Sequence, residues 1–239
     1  MTEPTVYAPG LTDDPNGITA LDETESFHVC RVLRMRKGGL LMAVSGMGHC
    51  MQMSILEAGT RTTLLKPSGD MRLLPLPPYS IHLAVAPPRH PDRLEWLTEK
   101  AVETGVDKIS LLICKHSEKS RFNTERLQKI MISAMKQSRR AWLPALSGPV
   151  PFHDFIRHAE EQEKWIASCA EKAPLLVQSA ACRTSCLLTI GPEGDFSSEE
   201  MEFAATYGFH SISLGDFRLR TETAALLACH TIHLINALK

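Results

Sequence analysis

The sequence predicts an α/β protein, a mostly parallel sheet with helices on both faces, preceded by a smaller β-rich part. Three observations carry this. Residues 79–239 alternate apolar strand-like runs with amphipathic helix-like stretches, the pattern of helices crossing over a parallel sheet. Residues 1–73 instead hold short strand-like runs divided by turn signals, as in a small β-barrel or sandwich. Between them stands Leu74-Pro75-Leu76-Pro77-Pro78, whose prolines oppose both helix and central strand and suit an extended linker.

The first part supplies three strand runs. Leu40–Ser45 is apolar and precedes the turn signal Gly46-Met47-Gly48. His49–Leu56 alternates loosely, and Thr62–Leu65 is another short β-prone piece. Ser26–Met35 reads as a short helix or turn with Phe27, Cys30, Val32 and Leu33 on one face. Beyond the linker, Ser80–Ala86 is a strand ended by Pro87-Pro88. Arg93–Thr104 is a helix with Leu94, Leu97, Ala101 and Val102 on one face, stopped by Gly105. Lys108–Cys114 is the next strand, and Asn123 the N-cap of a helix over Glu125–Ser138. Trp165–Ala170 and Leu187–Ile190 are short strands. Ser197 or Ser198 caps a helix whose first turns carry Glu199, Glu200 and Glu202, where the helix dipole favours them. His210–Leu214 is the last strand and Glu222–Leu238 the last helix.

Bulk properties narrow the partners. The 239 residues are 44% hydrophobic and 22% charged, ordinary for a soluble globular protein. A net charge of −1 gives no global attraction to nucleic acid or membrane, so any such attraction is local. No apolar run approaches the ~18–20 residues that span a bilayer, and Met1–Gly10 lacks the basic start and apolar core of a secretory signal. A cytoplasmic protein is expected. The seven cysteines, an odd and scattered set, read as reduced, partly buried thiols. Cys229, His230 and His233 lie close together, but no second cluster has zinc-ligand spacing, so no metal is expected.

Two glycine-punctuated segments concentrate the chemistry. Ile190-Gly191-Pro192-Glu193-Gly194-Asp195-Phe196-Ser197 and Leu214-Gly215-Asp216-Phe217-Arg218-Leu219-Arg220-Thr221-Glu222-Thr223-Ala224 each follow an apolar strand and precede a helix. Loops at the carboxyl ends of neighbouring strands are where open α/β sheets bind small molecules. Glycine is also the default turn residue. Two such loops, the second dense in Arg, Thr and Glu, favour a site over plain turns. Neither has the pattern of a dinucleotide fold or P-loop, so phosphate cradling is not indicated. Thr221 reads as the N-cap of the last helix, with Glu222 in its first turn. Arg218 and Arg220, before a helix N-terminus, gain nothing from its dipole, which points them at an anion or a developing negative charge.

Residues 115–140 carry eight cations, Lys115, Lys119, Arg121, Arg126, Lys129, Lys136, Arg139 and Arg140, against Glu118 and Glu125. Arg31, Arg34, Arg36 and Lys37 form a second, smaller patch. Isolated basic runs are usually solvated faces. Two in a nearly neutral chain suit a nucleic-acid backbone lying across both parts.

These residues resemble a known family. I-G-P-E-G-x-F-S-x-E-E, followed by a strand and L-G-x-x-x-L-R-x-E-T-A, is similar to the RsmE family of 16S ribosomal RNA uracil-N3 methyltransferases. Glu99–Asp107, Ala134–Arg140 with Leu143-Pro144, and His28–Arg34 resemble further family segments, so the match covers nearly the whole chain. The resemblance implies a SPOUT-class α/β domain over residues 79–239, whose C-terminal segment forms a trefoil knot. It also implies a PUA-like RNA-binding barrel over 1–73, binding of S-adenosylmethionine in a bent form, and a homodimer acting on the small ribosomal subunit. The cofactor would lie against Leu188, Ile190, Gly191, Pro192, Glu193, Gly194, Leu214, Gly215, Leu219, Thr221, Thr223 and Ala224. RNA would meet Arg31, Arg34, Arg36, Lys119, Arg121, Arg126, Lys129, Gln137, Arg139 and Arg140. The chain departs from the family pattern at Asp195 (usually glycine), Lys136 (usually glutamate), Gly39 (commonly aspartate) and Thr221 (frequently alanine).

Methylation of uracil N3 requires loss of its proton, which places negative charge on the flanking O2 and O4. A guanidinium there stabilises that charge as it develops. Arg220 is the leading residue for this role and Arg139 or Arg140 the alternative. Glu222 or Glu193 would accept the proton. The competing readings are a non-catalytic RNA-binding or assembly protein on the same fold, and a methyltransferase acting on another RNA or base atom.

Overall fold

The computed structural model describes residues 3–118, 122–168 and 173–238. It contains two compact units, Met1–Leu76 with Ile132–Leu143, and Pro77–Met131 with Pro144–Lys239.

The first unit opens with β1 (Thr5–Tyr7), β2 (Thr19–Ala20) and α1 (Glu23–Phe27), which continues as one π-helical turn, His28–Val32. β3 (Leu40–Val44), β4 (His49–Glu57), β5 (Leu64–Pro67) and β6 (Arg72–Leu73) follow. The six strands form one sheet in the order β1-β3-β4-β5-β2, with β6 on β4. β1 runs parallel to β3 and the other pairs are antiparallel. The path ends at β1 and β2 and makes no closed ring among the described residues. Its core joins Val6, Leu21, Leu41, Met53, Ile55 and Leu65. The helical turn buries Val29, while Phe27 and Val32 are exposed. The apolar face expected of Phe27 and Val32 is thus corrected, because Asp22 caps α1 through the Glu25 amide and that phase turns Glu25, Ser26 and Val29 inward.

Residues 132–143 belong to this unit through contacts that no local pattern announces. The Trp142 indole donates to Leu74 O at 2.8 Å. A Cβ at Gly48 (φ +87°) would lie 2.3 Å from the same ring, so this position requires glycine twice over. Lys136 pairs with the Glu25 carboxylate, which is 3% exposed and also accepts the Tyr7 amide at 3.2 Å. The lysine that replaces the family's glutamate therefore neutralises a buried carboxylate.

The second unit alternates β7 (Ser80–Val85), α2 (Pro91–Glu103), β8 (Lys108–Ile113), α3 (Thr124–Gln137), β9 (Ala145–Pro151), α4 (Phe152–Arg157), β10 (Glu163–Ala167), α5 (Leu176–Ser179), β11 (Ser185–Ile190), α6 (Ser198–Thr206), β12 (His210–Ile212) and α7 (Thr221–Ala237). The last two turns of α3 count with the first unit. The sheet is wholly parallel, in the order β12-β10-β11-β7-β8-β9. Successive side chains of β7 go to opposite faces. Ile81, Leu83 and Val85 join α2, α5 and α7 in one core, and Ala84 joins α4 and α6 in the other. That is why the strands read as continuous apolar runs. Asn123 accepts the Arg126 amide at 3.2 Å, as expected of the cap of α3. Gly105 stops α2 with φ +96°.

β9 escaped the sequence reading because Gly148, Pro149 and Pro151 argue against a strand. It lies at the sheet edge, where a missing N–H costs no ladder bond. A Cβ at Gly148 (φ +97°) would meet Leu111 O at 2.4 Å, and the ladder shifts register there.

β7 and β11 are neighbours, yet their chains leave to opposite faces. α2 follows β7 onto the face that holds α7, and α6 follows β11 onto the face that holds α4. In doubly wound sheets such divergence of neighbouring strands opens a crevice at their carboxyl ends, the ordinary ligand position, so that edge is where a ligand is expected here.

Candidate functional site

Four loops of the second unit gather at that edge. They follow β7 (Ala86–His90), β8 (Cys114–Glu118), β11 (Gly191–Ser197) and β12 (Ser213–Arg220). They hold one another largely through main-chain groups. The Ala86 amide donates to Ile190 O at 3.0 Å, and the Arg89 amide to Glu193 Oε1 at 3.3 Å. Arg218 Nη2 donates to Glu193 O at 3.1 Å. Thr221 Oγ1 donates to Gly191 O at 3.1 Å.

The last contact corrects the reading of Thr221 as an N-cap. The cap of α7 is Arg220, in extended conformation, and Thr221 is the first helical residue. Its buried hydroxyl ties the start of α7 to the loop after β11. An alanine there would lose this link.

The glycines work by close approach more than by unusual dihedrals. A Cβ at Gly191 would lie 3.0 Å from the Phe196 ring, and one at Gly194 3.1 Å from His116 Cβ. Only Gly215 of the three has positive φ, +124°. The other left-handed position in these loops is Asp195, φ +61°. Asp is among the few side chains that tolerate this region. Asp195 Oδ1 accepts the Phe196 amide at 2.8 Å, and its own amide closes a turn onto Pro192 O at 2.9 Å. The side chain that stands where the family usually has glycine thus bonds the adjacent backbone.

α6 is anchored firmly. Ser197 and Glu200 form a reciprocal capping box. Glu200, 2% exposed, accepts the Ser197 amide and, from the loop after β8, the Lys115 amide, each at 2.8 Å. Burial, with the charge of Glu200, pushes the nearby Cys114 thiol up to about 12, so it stays protonated at neutral pH. The six described cysteines are free thiols.

The two residues expected to carry catalysis differ in setting. Arg220 is exposed, and its guanidinium has no hydrogen bond among the described residues. Glu222 is 8% exposed, with Oε1 3.7 Å from Arg93 Nε. Its Oε2 is buried and lacks a hydrogen-bond partner among the described residues. Such an oxygen is costly unless a donor arrives. Among the expected cofactor contacts, the side chains of Leu188 and Ile190 pack in the sheet core, leaving only their main chain to a ligand. Leu214, Leu219, Thr223 and Ala224 are half-buried, Pro192 is buried, and Glu193, Gly194 and Gly215 are exposed. Arg89, Arg93 and His116 line the same edge and were absent from the sequence-derived set. Pro87-Pro88 was the local sign that a loop begins there.

The basic stretch fares differently. Lys119 and Arg121 lie outside the described residues. Arg126 makes a forked pair with Glu95, and Lys115 meets Glu199 at 2.8 Å. The hydrogen bond to Glu95 is the main reason the Arg126 guanidinium is held above its ordinary range. With Lys136 on Glu25, three of the eight cations are paired to carboxylates distant in sequence. The local charge excess is corrected accordingly. Lys129 and Arg139 are exposed and Arg140 is half-buried. Gln137, Arg139 and Arg140 count with the first unit, as do the exposed Arg31, Arg34 and Arg36.

Comparison with known proteins adds an independent line. The sequence model of an RNA methyltransferase domain matches residues 75–233. The ribosomal RNA small subunit methyltransferase E of Synechocystis is 30% identical over 222 residues, spanning 89% of this chain and 72% of that protein. A Legionella pneumophila chain solved with bound SAM superposes with a TM-score of 0.90 at 29% identity, covering 99% of both chains. A Porphyromonas gingivalis chain named as an rRNA-methyltransferase gives 0.89 at 36% identity, covering 98% of this chain and 99% of that one.

Proposed function

We propose that this chain, which belongs to the ribosomal RNA small subunit methyltransferase E family of RNA methyltransferases, methylates N3 of a uridine in 16S rRNA, using S-adenosylmethionine bound at the carboxyl edge of β7 and β11. The observation that carries the reading is the crevice with its orphaned Glu222 oxygen. A nucleoside cofactor fits this donor set. Half-buried Leu214 and Leu219 offer apolar surface to a base. The glycine loops offer main-chain donors and acceptors, and Glu222 Oε2 accepts a hydroxyl or ammonium hydrogen. When bound, the cofactor supplies a methyl group already activated by a sulfonium.

The chain's own residues then orient the base, exclude water and manage charge and proton. Arg220, exposed at the start of α7, supplies the guanidinium for the charge on O2 and O4. Glu222 is assigned to holding the ligand rather than to taking the proton, because it is buried beside Arg93. Lys129, Arg139, Arg140, Gln137, Arg31, Arg34 and Arg36 contact the RNA, and Arg126 does so more weakly because Glu95 holds it.

The finer architecture belongs to the same proposal. The first unit is a PUA-like RNA-holding barrel and the second a SPOUT domain. Its C-terminal segment passes through the loop after β11 as a trefoil knot, a reading supported by the Thr221–Gly191 tie. The protein works as a cytoplasmic homodimer. Support for dimerisation comes from the exposed Leu227 and Leu234, two turns apart on one side of α7, with exposed Leu238 just beyond its end. No described helix is long and apolar enough to cross a membrane.

The test is direct. Purified protein should bind S-adenosylmethionine in a calorimeter and transfer its labelled methyl group to small subunits lacking the modification, yielding 3-methyluridine on nucleoside digestion. Heat without transfer would favour a methyltransferase of different target, and no heat would favour a pure RNA-binding module.

A further inference from the structure

We propose that His116 Nε2 is the base that takes the uridine N3 proton, in a tautomer fixed by the backbone of Asp195. This deepens the function proposed above and rests on it.

Three observations converge on this residue. His116 lies in the loop after β8, at the crevice edge, with its Cβ packed against Gly194 and its ring exposed. Its Nδ1 lies 3.0 Å from the carbonyl oxygen of Asp195. A carbonyl oxygen only accepts, so Nδ1 carries the hydrogen, and in the neutral ring the lone pair then sits on Nε2. The carbonyl is itself held in place: Asp195 is left-handed, its amide bonds Pro192 O, and its carboxylate bonds the Phe196 amide. The family's usual glycine is thus replaced by a residue whose side chain stiffens the turn that sets the imidazole.

The rival bases are worse placed. Glu222 is buried and faces Arg93. Glu193 already accepts the Arg89 amide. Carboxylates are also weak bases for an imide, whereas imidazole titrates near the working pH, where general base catalysis is most effective. The charged groups on the neighbouring loops and α6 are engaged with one another or with backbone: Lys115 pairs with Glu199 and Arg89 with Glu118, Glu193 accepts the Arg89 amide, Asp195 the Phe196 amide, and Glu200 the Lys115 and Ser197 amides. In the step, the N3–H bond breaks and its electron pair stays on N3. The proton forms a new bond to Nε2, giving an imidazolium that later releases it to water.

Two measurements decide the matter. Ring-nitrogen NMR of 15N-histidine-labelled protein, without cofactor or RNA and with His116 assigned through His116→Gln, should show Nδ1 protonated and Nε2 bare. The opposite tautomer overturns the proposal. Single-turnover methyl transfer to small subunits should rise with pH, one decade per unit, and level off at the His116 pKa read from the same spectra. His116→Gln should lose about 10²–10⁴ in rate and that limb of the profile, while its calorimetric affinity for S-adenosylmethionine stays unchanged. Asp195→Gly, which keeps the carbonyl, should keep the limb. A wild-type protein that transfers methyl groups with a profile untouched by His116→Gln refutes the role of His116. A wild-type protein that transfers none refutes the function beneath it.

Discussion

The crevice loops and the basic stretch 115–140 are held in different ways. The loops after β7, β11 and β12 bind one another mainly through amides and carbonyls, with Thr221, Arg218 and Glu193 as the side-chain ties. The basic stretch is held by carboxylates from Glu25, Glu95 and Glu199, distant in sequence. Both sets of ties join residues far apart in sequence, but those of the crevice converge on one short stretch, Ile190–Glu193, whereas those of the basic stretch reach three separate helices. A charge patch depends on what the fold brings to it. The first therefore concentrates its sensitivity in few positions, and the second spreads it thinly.

The largest effect should fall in the crevice. Arg220→Ala should lower methyl-transfer turnover by about 10²–10³, the loss typical of one donor to developing charge, with cofactor affinity retained in calorimetry. Near-wild-type turnover at saturating cofactor would erase the contrast between the two regions. Next comes the segment that joins the first unit. Gly48→Ala sets a Cβ against the Trp142 ring in a left-handed position, and should cost about 1–3 kcal/mol, read as a lowered melting temperature. Trp142→Phe, which keeps an aromatic ring but loses the indole's packing on Gly48 and its bond to Leu74 O, should also lower the melting temperature.

Within the basic stretch the effects should be graded by pairing. Lys129→Ala should reduce the slope of log affinity against log salt by about one unit for a small-subunit RNA. Arg126→Ala should change it less, because Glu95 already neutralises that guanidinium. Equal slopes for the two variants would show that the pairing gives way on RNA. The smallest effect concerns stability. Burial pushes the Glu161 carboxyl up, but its hydrogen bond to His82 and the charge there hold it below its ordinary value. A depressed carboxyl stabilises the fold above its unfolded pKa, and that contribution is lost as pH falls through the folded one. Glu161→Gln should therefore weaken the fold at neutral pH, and its difference from wild type should shrink below the ordinary glutamate value of 4.5. Denaturant midpoints at a series of pH values read this directly.

The same contrast explains what the sequence revealed. Strands buried on both faces announce themselves as apolar runs, so Ser80–Val85, Lys108–Ile113 and Ser185–Ile190 were legible within a few residues. The caps Asn123 and Ser197 were legible because capping is local. β9 was not, because its prolines are admissible only at an edge, and edge position is set by the whole sheet. The membership of 132–143 in the first unit was hidden for a similar reason, since it rests on Trp142 against Gly48 and Lys136 on Glu25. In the site, the glycine loops were readable, but the job of each residue was not. Thr221 looked like a cap and is a cross-loop tie. Asp195 looked like a departure from the family's glycine and is a turn residue in a conformation glycine would also adopt. His116 carried no local signal, because its partner is a carbonyl from another loop.

The central claim is that the crevice between β7 and β11 serves methylation of uridine N3 in 16S rRNA. It is tested most directly by nucleoside mass spectrometry of 16S rRNA from cells lacking the gene, with and without a plasmid copy of the wild-type chain or of Arg220→Ala. The account predicts that 3-methyluridine disappears on deletion, returns with the wild-type copy and fails to return with Arg220→Ala. Unchanged 3-methyluridine in the deletion strain would contradict it.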